Sequence, residues 1–171
     1  MKRLRIILLS MLVLIVLAAC GTDKQEETDE EEGVGFSLSN ETIEEAANVP
    51  EKEKDLILEA FNQYIERLNE KDLEGYMDTI SEKPSSFTRE EEQKMVEEMF
   101  EEYDFTREPS NVTIVKYHEE KQEAQVFSNL NNKVKQLSTG LETAEKSRQV
   151  TVFTKEKNEW KVKAVHAIGE N

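Results

Sequence analysis

The stretch FNQYIERLNEKDLEGYMDTI, residues Phe61–Ile80, decides the fold. Apolar residues recur in its first half, and just before it, at steps of three and four, with charged residues between them. This spacing puts the apolar side chains on one face of an amphipathic helix. Pro50 suits the first turn of that helix. The side chains predicted to be buried are Ile57, Ala60, Phe61, Tyr64, Ile65 and Leu68.

Two shorter helices are predicted after the first one. The pattern breaks at residues 69–72, where Asp72 is a suitable N-cap for a second helix. Thr88, followed three residues later by Glu91, forms a capping-box pattern that predicts the start of a third helix. The side chains that these helices are expected to bury are Leu73, Tyr76, Met77 and Ile80, and then Met95, Val96, Met99, Phe100 and Tyr103.

In the second half of the chain, apolar residues alternate with polar ones, which predicts β-strands. The alternating runs lie at Val112–Ile114, Ala124–Ser128, Val150–Val152 and Trp160–Ile168. Turn-like residues separate these runs at 118–122, 137–140 and 155–159. Three helices followed by four hairpin-connected strands predict an α+β domain over residues 50–171. We expect the helices to cover the concave apolar face of a curved, four-stranded antiparallel sheet.

The N-terminus is typical of an export signal, predicted here over residues 1–19. Lys2, Arg3 and Arg5 precede the apolar run Ile6–Leu17, which Ser10 alone interrupts. That run has about a dozen residues, whereas a membrane-spanning helix needs about 20. The alternative is an uncleaved anchor helix, but the polar residues after Cys20 stop the necessary extension.

The sequence Leu17-Ala18-Ala19-Cys20 resembles the lipobox of bacterial lipoproteins. The resemblance implies transfer of diacylglycerol to the Cys20 thiol and cleavage between Ala19 and Cys20. Two acyl chains give stable attachment to a membrane. The expected location is the extracytoplasmic face of the cell membrane, with an outer-membrane destination left open. Cys20 is the only cysteine, so neither a disulfide framework nor a thiolate metal site is expected.

Residues 20–49 are predicted to be the lipidated N-terminus and a disordered acidic linker, because acidic residues dominate and apolar periodicity is lacking. A calcium-binding tract is the alternative, but the residues lack the usual loop pattern. The whole chain has 37 acidic and 22 basic residues, for a net charge of −15. This balance disfavours nucleic-acid partners, which are bound through Lys and Arg.

Residues 61–80, together with NEWKVKAVHAI at 158–168, resemble the nuclear-transport-factor-2-like, cystatin-related superfamily. The resemblance spans about residues 50–169 and implies helices packed on a cone-like sheet. This superfamily contains ketosteroid isomerases, dehydratases and polyketide cyclases as well as noncatalytic binding domains. A hairpin that many members carry between the second and third helices does not fit within residues 81–87. We therefore expect either a reduced version of the fold or a related cystatin-like arrangement of helices and sheet.

Few residues are candidates for chemistry inside the cone. His166 has the same parity as Trp160 and Val162 and is the catalytic candidate, unless it is a partly exposed residue at the end of the last strand. Candidates for lining a pocket, which could instead be core residues, are Tyr64, Tyr76, Tyr103 and Trp160. We find no catalytic triad, phosphate loop or histidine-rich metal cluster. We therefore expect neither an enzyme nor a cofactor or metal site.

Aromatic and basic residues are predicted on the outer face of the sheet. They are Phe127, Phe153, Lys161 and Lys163. The face is either an ordinary solvated surface or an interaction surface, because the phenylalanines would otherwise be exposed. The resulting hypothesis is a noncatalytic binding module for a small ligand or a protein partner. The alternatives are a small isomerase or dehydratase that uses His166, and a homodimeric assembly protein.

Overall fold

A computed structural model of the protein describes residues 43–168. The predicted signal peptide, the lipobox and most of the acidic linker lie outside the described residues. Three helices come first: α1 (Glu51–Asn69), α2 (Leu73–Thr79) and α3 (Arg89–Glu102). Four strands follow: β1 (Tyr103–His118), β2 (Glu123–Gln136), β3 (Glu142–Glu156) and β4 (Glu159–Ile168).

The four strands form one antiparallel sheet in the order β1-β2-β3-β4. The predicted fold class, three helices packed on a curved four-stranded antiparallel sheet, is confirmed. One boundary differs, because β1 begins at Tyr103, directly after α3, and not near Val112. The early part of β1 alternates between half-buried and exposed residues. Because many of these residues are polar, the alternation of apolar and polar residues that predicts a strand is weak there.

Both predicted helix caps are formed. The Asp72 carboxylate accepts a hydrogen bond from the Gly75 amide at 3.0 Å. Thr88 and Glu91 make both bonds of the capping box. A β-carbon on Gly75 would lie 2.2 Å from Asp72 Oδ2, so only glycine allows this close approach. Local side-chain chemistry therefore sets where α2 and α3 begin.

Helix α1 packs its apolar face against the concave face of the sheet. Its buried residues are Ile57, Phe61, Tyr64, Ile65 and Leu68. They join one core with residues from all four strands, among them Ile114, Val126, Phe153 and Val162. Helices α2 and α3 complete this layer, so the core lies between the helices and one face of the sheet.

The predicted buried face of α3 is confirmed except at one position. Met95, predicted to be buried, is 55% exposed. Val96 is buried and Met99 is partly buried against the core, as predicted, and Glu92 joins them on this inward face. These three positions are separated by four and three residues, which is the spacing of one helical face. An acidic residue thus takes an inward position that an apolar pattern does not reveal.

A β-bulge in β4 decides which of its side chains face the helices. Phe153 pairs with Val162, whereas the preceding residue Val152 pairs with Ala164, so Lys163 is the extra residue. An extra residue in one strand reverses the alternation of faces beyond it. Residues of β4 on the two sides of the bulge therefore do not keep a common parity.

The bulge makes the predicted orientation of His166 wrong. His166 pairs with Val150, and Val150 pairs with Phe127, on the face opposite the helices. The neighbouring residue Val165 points inward in its place and packs partly against the core. Trp160, which precedes the bulge, belongs to the core. His166 and Trp160 consequently lie on opposite faces of the sheet.

The placement predicted for the outer face is correct for Phe127 and wrong for Phe153. Phe153 is 0% exposed and lies in the core, because it pairs with the inward-facing Val162. Phe127 does lie on the outer face, but it is only 2% exposed. It sits there beside Val150, which is also buried. The described residues therefore do not present an exposed aromatic strip at these positions.

Acidic neighbours neutralise the two predicted basic residues of the interaction face. Lys161 Nζ lies 2.7 Å from Glu159 Oε2. Lys163 Nζ lies 2.6 Å from Glu123 Oε2, which joins β4 to β2 across the sheet. Each lysine thus has a carboxylate partner, and the local positive strip inferred from the sequence is largely compensated.

The segment between α2 and α3 takes the place of the missing hairpin. Ser81 N donates to Val162 O at 2.9 Å, and Ser85 N donates to Lys163 O at 2.8 Å. Ile80 forms a single parallel bridge with Val162. These bonds cover part of the free edge of β4, which would otherwise offer unpaired backbone groups. The reduced version of the fold keeps this edge closed with a short segment.

We expect the Phe153→Ala variant to lose about 3–5 kcal/mol of unfolding free energy, because it removes a fully buried ring from the core. Urea denaturation of the wild type and the variant measures this loss. Leu141→Ala, at an exposed position beyond β2, is the control and should change stability by less than about 0.5 kcal/mol. A loss below about 1 kcal/mol for Phe153→Ala would contradict the inward placement of this ring.

Candidate functional site

Four polar side chains from different elements meet inside the fold. The Tyr76 hydroxyl donates a hydrogen bond to Glu92 Oε1 at 2.5 Å. The rings of Tyr64 and Tyr76 lie 5.5 Å apart between centroids. The positive charge of Arg107 acts electrostatically on the Tyr64 hydroxyl. We call these residues, Tyr64, Tyr76, Glu92 and Arg107, the tyrosine–glutamate cluster.

The secondary structure brings the cluster together. Tyr64 lies on the buried stripe of α1, and Tyr76 lies in the middle of α2. Glu92 is in the first turn of α3, and Arg107 is in β1. Because α1, α2 and α3 all pack on the concave face, inward positions on separate helices converge there. Two of the predicted pocket residues, Tyr64 and Tyr76, are thus brought into contact.

Glu92 is the member of the cluster that the sequence did not reveal. It is 9% exposed, although a carboxylate is rarely buried without a partner. Tyr76 supplies that partner. The signal was present in the spacing, because Glu92 stands four residues before Val96 and seven before Met99. An acid in a run of acids is nevertheless the usual mark of a solvated helix face.

Burial keeps both tyrosine hydroxyls protonated. Desolvation raises the pKa of Tyr76 far above its ordinary value, and interactions with Tyr64 and Glu92 raise it further. Desolvation also raises the pKa of Tyr64, and the nearby Arg107 guanidinium opposes this rise only in part. Removing a buried group from water disfavours its charged form. Both tyrosines are therefore neutral hydrogen-bond donors at physiological pH.

Both the backbone and the side chain of Arg107 are held by neighbouring residues. The Asn69 side chain, at the end of α1, bonds the Arg107 backbone twice, accepting from its amide at 2.7 Å and donating to its carbonyl at 3.0 Å. Arg107 Nε donates to Asn132 Oδ1 of β2 at 3.0 Å. Its guanidinium carbon lies 5.2 Å from the centroid of the Phe105 ring. The positive charge near Tyr64 is therefore fixed.

The cluster contains neutral donors, one carboxyl group and one fixed cation, which are the groups that general acid–base chemistry uses. The same groups are already engaged with one another, and Tyr64, Tyr76 and Glu92 are all buried. In this arrangement they stabilise the contact between the three helices. A polar ligand would have to displace internal hydrogen bonds to bind here.

The other two predicted pocket residues lie elsewhere. Tyr103 is half-buried at the start of β1, where it pairs with Gln136. Trp160 is buried at the start of β4, and its Nε1 donates to Glu53 Oε2 at 3.0 Å. Lys155 Nζ lies 2.6 Å from Glu53 Oε1 and 5.6 Å from the Trp160 ring centroid. Trp160 thus belongs to a second polar cluster, which ties α1 to β3 and β4.

Two concave surfaces occur on the outside of the domain. The first, with a volume of about 660 Å³, lies between α1, α2 and the β3–β4 turn and is lined in part by Leu56, Gln63, Thr79 and Trp160. The second, about 480 Å³, is lined in part by Met77, Ile80 and Lys157. Tyr64, Tyr76 and Glu92 line neither of them. These clefts are therefore separate from the tyrosine–glutamate cluster.

Within residues 43–168, no group of three His, Cys, Asp or Glu side chains is arranged to hold a metal ion. In the same part of the chain, no helix has the length and apolar character that a transmembrane segment requires. Acidic side chains of the described residues engage lysines, a backbone amide and a hydroxyl, as Glu53, Glu91 and Glu108 illustrate.

We expect Tyr76→Phe to lower the unfolding free energy by about 1–3 kcal/mol, because it leaves the buried Glu92 carboxyl group without its donor. Chemical denaturation at neutral pH measures the change. Tyr117→Phe is the matched control, since no hydrogen bond to the Tyr117 hydroxyl is seen among the described residues, and it should cost less. Equal losses in the two variants would mean that the bond to Glu92 contributes nothing.

We also expect a pH-dependent contribution from Glu53. The hydrogen bond from Lys155 lowers the pKa of Glu53 below its ordinary value of 4.5. The stabilisation is therefore present above about pH 4.5 and is lost as the pH falls through the folded-state pKa. Glu53→Gln should cost about 1 kcal/mol at pH 7 and less near pH 3. An unchanged difference at the two pH values would exclude a charge effect.

Solved structures of similar fold are numerous, and all those cited here share less than a fifth of their residues with this chain. A protein of unknown function with a cystatin-like fold from Nostoc punctiforme is 16% identical, with a TM-score of 0.55, over 70% of this chain and 92% of the other. A proposed dehydratase of the NTF2-like family from Streptomyces avermitilis is 13% identical, with a TM-score of 0.60, over 70% of this chain and 97% of the other.

A third structure, a ketosteroid isomerase-like protein from Erwinia carotovora atroseptica, is 17% identical, with a TM-score of 0.56, over 71% of this chain and 100% of the other. At such identities the three structures establish the nuclear-transport-factor-2-like, cystatin-like fold and not an activity. They agree with the three helices on a curved sheet described above.

No curated protein matches the chain. A family model described as the C-terminal domain of the anti-sigma-I factor RsgI9 matches residues 59–170. The match runs from the middle of α1 through the end of β4, so it includes all four strands and the tyrosine–glutamate cluster. The chain therefore belongs to the family of the anti-sigma-I factor RsgI9 C-terminal domain.

Proposed function

We propose that the protein is a membrane-anchored extracytoplasmic lipoprotein whose folded domain is a noncatalytic binding or interaction module of the cell envelope. The Leu17-Ala18-Ala19-Cys20 sequence supports the anchor. The acidic residues that follow would hold the domain away from the membrane surface as a solvated spacer. The family supports a regulatory role, because its description is that of a domain of an anti-sigma factor.

The proposal that the domain is noncatalytic is supported mainly by its interior, which is filled with side chains. Phe61, Phe153, Ile57 and Ile114 are among the largest fully buried side chains and occupy the space between helices and sheet. Glu92 and Tyr76, the ionisable groups best placed for chemistry, are hydrogen-bonded to each other there. An enzyme of this architecture would need substrate to reach such groups, so an interaction through the outer surface agrees better with the packing.

The anchor is tested by Cys20→Ala in a bacterial host supplied with an alkyne-labelled palmitate. We expect the wild type to take up the label and to sediment with membranes. The variant should lose the label and leave the membrane fraction, because it has no thiol for diacylglycerol transfer. Thr22→Ala, two residues downstream, is the control and should keep the label. Labelling that persists without Cys20, or an unlabelled wild type, would contradict the proposal.

A small isomerase or dehydratase is the second candidate function. His166 lies on the outer face of the sheet and so no longer supports an enzymatic role. The catalytic groups would instead have to be Tyr76 and Glu92, which are joined by a short hydrogen bond. Glu92→Gln distinguishes the two candidates, because glutamine still accepts the bond from Tyr76 but cannot transfer a proton. Turnover of a 3-ketosteroid or β-hydroxyketone by the wild type that is lost in Glu92→Gln would favour the enzyme. Absence of turnover in both the wild type and the Glu92→Gln variant would favour the binding module.

A further inference from the structure

The larger surface cleft is lined mainly by polar residues, among which lies a small apolar patch. Leu56 and Ala60, one turn apart on α1, line it, together with Trp160 from β4. Leu56 and Ala60 are partly exposed and pack partly against the core. A concave surface of this kind can accept an apolar side chain from a partner. The charges of the polar side chains around this patch determine which partner the cleft can bind.

The cations of this cleft are already paired. Arg67 Nη1 lies 3.3 Å from Glu70 Oε2 and 3.2 Å from Asp72 Oδ2. Lys161 Nζ lies 2.7 Å from Glu159 Oε2. These internal pairs reduce the attraction that the cations would exert on an acidic partner.

Two acids of the cleft remain without an ion pair. Glu59 and Asp78 line the cleft from α1 and α2, and both are exposed. Glu59 accepts only a long hydrogen bond from Gln63, at 3.5 Å, among the described residues. For Asp78, no hydrogen bond or ion pair is seen within that part of the chain. Next to the small apolar patch, the cleft thus offers two carboxylates that a cation could neutralise.

The smaller cleft continues the larger one. The two share Asp78, Glu159 and Lys161. Its own cations are also engaged, because Arg89 donates to the carbonyls of Met77, Ile80 and Ser81, and Lys157 pairs with Glu82. Met77 and Ile80 are among its lining residues. Joined at their shared residues, the clefts form an elongated groove, which suits an extended segment better than a compact molecule.

We propose that this groove, which joins the two clefts at Asp78, binds an extended segment of a partner protein in which Lys or Arg stands next to an apolar side chain. The basic group pairs with Asp78 and Glu59, and the apolar side chain packs on Leu56 and Trp160. The net charge of the chain, −15, favours the approach of such a basic segment. The inference rests on the proposed function, since it names the partner class of the interaction module.

Trp160 is a built-in reporter for the test, because it lines the groove and is the only tryptophan of the chain. The purified full chain, in detergent and at near-physiological ionic strength, is titrated with a synthetic peptide of alternating Lys and Leu. We expect a saturable change in Trp160 emission. The double variant Glu59→Gln/Asp78→Asn should weaken binding by about tenfold or more, because both carboxylates are lost.

The matched control is Glu97→Gln/Glu101→Gln, which removes two exposed charges from α3 outside both clefts. It should change the affinity by less than about twofold, since remote surface charges are screened. A peptide of alternating Glu and Leu should not bind. Equal weakening by the two double variants, or binding without a change in Trp160 emission, would overturn the inference. The Cys20 labelling experiment is independent of these outcomes, so failure of the groove and failure of the anchor are distinguishable.

Discussion

The apolar stripe of α1 must leave water, and it does so by packing on the concave face of the sheet. Ile57, Phe61 and Ile65 find their partners on the concave face of the sheet, in a core that includes Phe153 and Val162. Burial of side chains of this size contributes about 1.5–3 kcal/mol each relative to exposure. The remaining elements are arranged around this contact. Helices α2 and α3 cover the rest of the same face, and the short segment after α2 closes the edge of β4.

The same constraint places the polar groups. Because three helices pack on one face, an inward tyrosine on α1, a tyrosine on α2 and an acid on α3 come within reach of one another. Their mutual hydrogen bonding satisfies groups that would be costly to bury alone. A ligand that entered the interior would have to break these hydrogen bonds. The larger open cleft lies on the outside of the domain, between α1, α2 and the β3–β4 turn. This division is the basis of our proposal that the domain interacts through its surface.

Local signals predicted the elements well. The spacing of apolar residues gave α1, and the caps at Asp72 and Thr88 gave the starts of α2 and α3. Period-two alternation gave the four strands, except where polar residues occupy both faces at the start of β1. The failures were failures of orientation. Met95, expected to be buried, is exposed, whereas Glu92, which the sequence analysis did not single out, is buried.

The sequence by itself determined the order and type of the elements and their caps, because these depend on residues near one another in the chain. Its lipobox and acidic linker remain predictions about location. Only the tertiary structure decided which side chains share a surface. One extra residue in β4 moved His166 to the outer face and left Val165 facing the core. The burial of Glu92 likewise depends on a hydroxyl from another helix. Such outcomes depend on register and on packing between distant segments, and no local pattern encodes them.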